Sequence, residues 1–422
     1  MPHQLGVTIR APVAAKQVAP LRDWLAKAAR SGQADPLFAF GRMHGLHFAK
    51  LFVLAETADP GGEPIAASLM LMTEVDAPLR PHLAELIDVG GAGIERALGF
   101  CEGYPGPGAH RRTRIAWLRR HLVRASAVYV NTVGRGLQQI RQEAHLHDAL
   151  ENYLDQGDWD GRAADDVRRE LRAQVAGRAD LAWAMKPPAP PSLRFRLREA
   201  IHAVAVPLAV WALLPALVLV LPVWAVLLRW DERRDRPLTQ RPTLPHLGEL
   251  ASYEDFVTQN PFAVVGFVKP GLLRLVTIRV VMSAIDYAVR HVYNHASLAG
   301  ITTIHFARWV PLDGWRRMTF ASSYDGAVEA YNDDFIDQVW WGLNAAFGNG
   351  VGYPPTRWLF WGGARYEQQF KNTLRIHQVP VPVWYSAYPA LSAVNIENNA
   401  EIRAGLRGDA SPAEAEQWLS LL

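Results

Sequence analysis

The residues best able to do chemistry crowd into one stretch, Ser322 to Asp337, and into a few positions around it. His305 can coordinate a metal or shuttle a proton, because an imidazole does both near neutral pH. Asp325 can carry a proton or cap a helix N-terminus. Tyr324 lies beside it, Arg357 can stabilise developing negative charge, and His377 is a second ligand candidate. Each has a plainer reading, because His305 has a counterpart in His47, Asp325 in Asp76 and His377 in His121. A paired histidine can be a buried, hydrogen-bonded imidazole, and a paired aspartate a helix cap. A two-residue turn at Asp313-Gly314 would close a hairpin. That register sets His305 opposite Ser322, with Tyr324 on the same face and Arg308 on the other unless a bulge intervenes.

Several chemistries lose support. GxSxG, HExxH and CxxC are missing, and Gly90 to Gly93 lacks GxGxxG spacing and sits in a helical pattern. A formal charge of +3 is too small a bias for a nucleic-acid partner. The single cysteine, Cys101, excludes an intrachain disulfide framework and a cysteine-rich zinc site, and fits a reducing compartment. The N-terminal residues have neither the basic start nor the apolar run of a secretory signal. Half of the residues are hydrophobic, enough for a sizeable core.

The elements that must position these residues come in two copies. The segment from Pro12 to His47 aligns without a gap with Pro270 to His305, and Phe48-Ala49-Lys50 with Phe306-Ala307-Arg308. Asp76 then matches Asp325, Ile87-Asp88 match Ile336-Asp337, and Gly103-Tyr104-Pro105 match Gly352-Tyr353-Pro354. Leu118 to Leu150 follows Leu374 to Leu406. The second copy reads as a strand at Ala263–Lys269, a helix at Leu272–Tyr293, and a hairpin of Ile301–Pro311 with Arg316–Ser323. A helix to Phe347, a strand at Thr356–Trp361, a helix at Ala364–His377 and a strand at Val379–Tyr388 complete it. This order contains a ferredoxin-like β-α-β-β-α-β unit. The expected fold is α+β: tandem duplicated ferredoxin-like modules forming a pseudo-symmetric α/β barrel with a hydrophobic membrane-associating insert. The modules are expected at 1–150 and 263–406, the helical insert at 151–262, and a C-terminal tail at 407–422.

The insert opens with a charged, solvated helical stretch, Glu151–Met185, and a stiff proline-rich linker, Lys186–Ser192. Ala203–Leu228 then runs 26 residues without a charge, enough by length to cross a bilayer. Arg194, Arg196 and Arg198 precede it, and Arg229, Arg233, Arg234 and Arg236 follow it. Basic clusters stay cytoplasmic, so both ends are expected on that side. A crossing would also hold apart the copies that need each other. Pro207, Pro215 and Pro222 offer break points for a shallow or bent insertion. A monotopic anchor on the cytoplasmic face of the inner membrane is therefore expected, with a buried core helix pair or a single span as alternatives. Where the copies differ, the second is richer in polar and aromatic groups. Trp340, Trp341, Trp358, Phe360 and Trp361 place a pocket for a flat or lipophilic ligand there.

The duplicated layout resembles the dimeric α/β-barrel superfamily, which includes dye-decolorizing peroxidases and chlorite dismutases. Ser322-Ser323-Tyr324-Asp325-Gly326 resembles the GxxDG signature of the dye-decolorizing peroxidases, with serine in place of the first glycine. That resemblance implies a haem cofactor with Asp325 as the distal acid; His305 and Arg357 are candidates for the axial ligand and distal arginine. The strings His305–Trp309 and Tyr324–Asp337 also resemble those of bacterial membrane-associated proteins of unassigned function. The leading expectation is a haem-dependent, peroxidase-like oxidoreductase acting on a lipophilic substrate. Its alternatives are a non-catalytic membrane-bound binding or scaffold protein and a cofactor-free lipid-modifying enzyme using Tyr324 and Asp325. Membrane lipid and a lipophilic small molecule are the expected partners, and the pattern leaves room for a homo-oligomer.

Overall fold

The computed structural model describes residues 3–30 and 37–422. It is a mixed α/β chain with two four-stranded antiparallel sheets and one long apolar helix. The strands are β1 (Gln4–Pro12), β2 (Leu46–Leu54), β3 (Ser68–Asp76), β4 (Ala127–Val130), β5 (Gln259–Phe267), β6 (Ile304–Leu312), β7 (Arg317–Asp325) and β8 (Val383–Ser386). Sheet one has the order β1-β3-β2-β8 and sheet two the order β4-β6-β7-β5. The short strand from each half thus joins the sheet built by the other half. Its lead-in stays behind: Val123 N donates to Thr8 O at 2.9 Å beside β1, and Val379 N to Ala263 O at 2.9 Å beside β5. The β1 and β5 edges are thereby partly paired, which blunts them as templates for another strand.

Period-two alternation explains the layering. In β2 and β3, Ala49, Leu51, Leu69 and Leu71 pack outward under α1 (Ala15–Arg30), α2 (Leu79–Asp88), α3 (Gly91–Gly99) and α4 (Arg111–Arg120). Their neighbours Phe52, Met70 and Met72 point inward and meet Ala263, Val310 and Ala321 of sheet two. With both faces covered, all nine residues of β2 are buried. The helices that follow are α5 (Leu137–Asp155), α6 (Ala164–Gly177), α7 (Leu193–Glu232), α8 (Leu244–Ala251), α9 (Leu272–His291), α10 (Val328–Phe347), α11 (Glu367–His377), α12 (Ala393–Gly405) and α13 (Pro412–Leu419). The outer face of sheet two lies under α9 and α10.

The hairpin register differs from expectation. Asp313–Trp315 forms a turn of 3₁₀ helix with Gly314 at φ 65°, longer than the two-residue turn expected. Ala307 therefore pairs with Ser322 and Ile304 with Tyr324, and a bulge falls between Ile304 and Phe306. The bulge turns His305 and Phe306 inward together, so His305 shares a side with Arg308, while Tyr324 faces outward into the aromatic layer under α10. A matching irregularity falls between Leu46 and Phe48 in β2, at His47. The strand expected at Thr356–Trp361 is instead a small ladder, Thr356–Arg357 with Trp361–Gly362. Trp358 (φ 55°) and Leu359 (φ 66°) turn the chain between its rungs.

The stretch 151–185 is less solvated than its charge suggests. Val167, Leu171 and Val175 of α6 pack on Ile402, Leu406 and Trp418, so the C-terminal tail, 407–422, carries a packed helix, α13. Arg168 Nη2 donates to Gly405 O at 2.6 Å, satisfying a carbonyl at the end of α12.

Helix α7 runs unbroken through Pro207, Pro215 and Pro222, so none of the three acts as a break. It is long and apolar enough to cross a membrane, and its most apolar window has no residue buried inside the protein. Trp211 is 74% exposed and Leu219 76% exposed, which excludes a core helix. Its two ends are tied to one element, α9. Arg290 pairs with Glu199 at 2.8 Å and Tyr287 Oη donates to Ala203 O at 3.2 Å. At the other end Trp224 Nε1 donates to Thr277 Oγ1 at 2.9 Å and Arg274 pairs with Asp231 at 2.9 Å. The helix from Ala203 to Trp224 is about 32 Å long and that from Thr277 to Tyr287 about 15 Å. The middle of α7 is exposed (Leu213, 56%), and so is Val280 of α9, 63%, so α7 stands clear of α9 there.

Candidate functional site

The expected site residues do not form one site. His305 sits on the bulge between the sheets and its Nε2 bonds Asp325 Oδ1 at 2.8 Å. The other carboxylate oxygen of Asp325 accepts from Ala393 N, at the start of α12, at 2.7 Å. Asp325 therefore does cap a helix, but one far along the chain, where a carboxylate suits the positive end of the dipole. His47 repeats this: its Nε2 bonds Asp76 Oδ1 at 3.1 Å, and Asp76 Oδ2 accepts from Leu137 N, the start of α5, at 3.0 Å. Its Nδ1 bonds Tyr388 Oη at 3.0 Å.

The other three candidates lie elsewhere. Tyr324 stacks on Tyr331 on the outer face, and burial raises its hydroxyl well above the ordinary phenol range. His377 ends α11 and bonds the Thr373 carbonyl of its own last turn at 2.8 Å. Arg357 is exposed on the small ladder near the end of α7. That ladder is held by Glu232, a buried carboxylate that sequence reasoning missed. It accepts from Thr356 Oγ1 at 2.9 Å, Trp358 N at 2.9 Å and Leu359 N at 2.7 Å.

These residues do not fit a haem. The space beside His47 and His305 is about 20 Å³, room for a water, whereas small-molecule sites take roughly 300–1,000 Å³. The Nε2 that would ligate iron is already bonded to Asp325, and Arg357 does not reach it. Titrating haem into the purified protein is expected to leave the spectrum of free haem. His305→Ala, which strips Asp325 of a buried partner, is expected to destabilise by about 1–3 kcal/mol in urea unfolding. A Soret band of bound haem that vanished in His305→Ala would overturn this assignment.

Two other features are better built. The first is an ionic cluster between the sheets. Lys50 Nζ donates to Glu74 Oε1 at 3.1 Å and to Ser323 Oγ at 2.7 Å. Arg308 donates to the same Oε1 at 2.5 Å, to Val7 O at 2.6 Å and to Thr73 O at 3.0 Å. Burial pulls the Lys50 ammonium down to about 8 despite Glu74. Glu74 is held below the usual carboxylate range, because Arg308 and then Lys50 outweigh its own burial. All three side chains are buried and paired with one another, as the parts of a structural cluster are.

The second is a cavity of about 300 Å³ between the outer face of sheet two and helices α9 and α10. Phe262, Trp309 and Phe320 form its floor, and no charged residue lines it. Val339, at φ −133°, breaks the regular turn of α10 along its wall. Trp341, 43% exposed, Phe360 and Ala284 stand at its rim. Ala284 lies two turns from Thr277 on the same face of α9, so the rim opens beside the stretch of α7 that stands clear. Of the aromatic residues expected to wall a pocket, Trp341 and Phe360 do so. Trp358 and Trp361 are exposed on the ladder, and Trp340 packs under the Arg365 guanidinium at 4.3 Å. No family model, curated protein or solved structure matches the chain.

Proposed function

We propose that this protein is a non-catalytic, membrane-bound carrier or sensor of a lipophilic molecule, seated on the cytoplasmic face of the inner membrane. The observation that carries the reading is the uncharged cavity whose rim opens beside an uncovered apolar helix. A pocket lined this way rewards transfer of apolar surface from water at about 25 cal/mol per Å² and offers no countercharge to an ionised ligand. Arginines on both flanks of α7 favour the cytoplasmic side. His305 does not fit a haem, which speaks against a haem oxidoreductase, and Tyr324 and Asp325 face opposite sides of sheet two, which speaks against a cofactor-free enzyme built on that pair.

The test uses N-phenylnaphthylamine, a lipophilic fluorophore, with full-length protein in lipid discs. Saturable one-site binding is expected, and Ala284→Trp, which fills the rim at an exposed position, should weaken it at least tenfold. Binding that is non-saturable, or indifferent to Ala284→Trp, would overturn the proposal.

The fold itself is read as two ferredoxin-like modules, descended from one duplicated unit and closed into a pseudo-symmetric barrel. Support comes from the paired chains of contact His47–Asp76–Leu137 and His305–Asp325–Ala393, and from the mutual exchange of β4 and β8.

A further inference from the structure

We infer that the cavity selects a neutral lipid bearing a carbonyl oxygen, such as an ester, ketone or quinone, over a plain hydrocarbon or a fatty-acid anion. This rests on the lipophilic-ligand reading above and goes on to the chemistry of the ligand. Two residues of the cavity wall carry unused donors: Asn332 (Nδ2), 3% exposed, and Trp309 (Nε1), 5% exposed. Both are buried without a hydrogen-bond partner among the described residues. An unmet buried donor is costly and native folds contain few of them. Two lining one apolar cavity call for an acceptor brought in from outside. Another polar group of the wall, Tyr331 Oη, is already engaged by Ser322 Oγ at 2.6 Å.

Charge sets the other limit. No lysine, arginine or histidine lines the cavity, so a carboxylate would enter unpaired, which low-dielectric surroundings disfavour strongly. A carbonyl oxygen accepts from amide and indole N–H groups without that penalty. The rim beside the uncovered middle of α7 lets such a molecule pass from the acyl layer between α9 and α10 without crossing water.

The experiment compares methyl decanoate, tridecane and decanoate as competitors of N-phenylnaphthylamine on full-length protein in lipid discs. The ester and tridecane match in heavy atoms, and a purely apolar site would favour tridecane. The ester is expected to compete at least tenfold better than either of the others. Asn332→Leu, an apolar replacement of similar volume, should erase the preference for ester over tridecane by weakening the ester and not the hydrocarbon. Trp309→Phe should reduce that preference. If tridecane or decanoate equals the ester on the natural protein, the inference falls and the lipophilic-ligand reading stands. If none of the three competes, both fall. The selectivity of the natural protein decides the matter even where a variant fails to fold.

Discussion

Glu74→Ala is expected to destabilise the protein by about 3–5 kcal/mol, the largest effect of any single substitution between the sheets. Glu74 is the one anion facing Lys50 and Arg308, and all three are essentially out of water. Removing it leaves two buried cations facing each other. Lys50→Met should be far milder, because it keeps the Arg308–Glu74 pair and substitutes an apolar stem of similar length. Chemical unfolding of the two variants checks the asymmetry, and equal losses would show that the cluster contributes no more than its packing. The cluster also fixes a pH dependence. The Lys50 value in the folded state, about 8, lies below its unfolded value of about 10.5. Between those two pH values the unfolded chain holds the extra proton, so stability rises with pH there. The rise should vanish in Lys50→Met. Glu74, held low, has the ordinary carboxylate sense. Its contribution is present above the unfolded carboxylate range and is lost as pH falls through its depressed folded value.

Only the two cations of this cluster had a signal in the sequence, as matching positions of the two copies. Lys50 stands among apolar residues in a strand whose only other polar side chain is His47, and aligns with Arg308; a charge in such a run must find a partner or titrate. The partner was not legible, because Glu74 and Ser323 reach the pair only once the sheets face each other. The same limit governed His305 and Asp325. Their types and end-of-strand placement were readable, and so was a capping role for Asp325. The bulge at His305 and the helix that Asp325 caps, sixty-eight residues on, depend on tertiary contact. The register error came from reading Asp313-Gly314 as a two-residue turn when Trp315 joins it at φ 76°. The cavity was placed in the correct half by its aromatic residues. Its floor was not, since Trp309 and Phe320 are strand residues that looked like ordinary core. Glu232 gave no local signal, because its partners are backbone amides of a loop far along the chain.

Both termini of this protein are expected on the same side of the membrane, with α7 immersed as a shallow arc rather than a crossing. α7 is apolar on every side through its middle, unlike an interfacial helix with one charged face. That argues for immersion of the middle. A crossing would carry one end away from the other by the full hydrocarbon thickness, about 30 Å. Yet Glu199 and Asp231, near its two ends, pair with Arg290 and Arg274 of the single helix α9. Lying alongside a spanning α7, helix α9 would take Arg274, Arg279, Asp286 and Arg290 into the acyl layer, at about 2.5–3.5 kcal/mol for each charge near the centre. Standing clear of α9 lets the middle of α7 enter lipid while both ends return to the body. Protease protection of terminal tags reads the outcome directly, and termini on opposite faces would refute the arc. The same helix should govern attachment. Leu213→Arg with Leu219→Arg places two charges in its immersed middle, and by that scale each weakens partition roughly 100-fold. The double variant should leave the carbonate-washed membrane pellet for the supernatant while its melting temperature stays near that of the natural protein, because neither leucine touches the folded body.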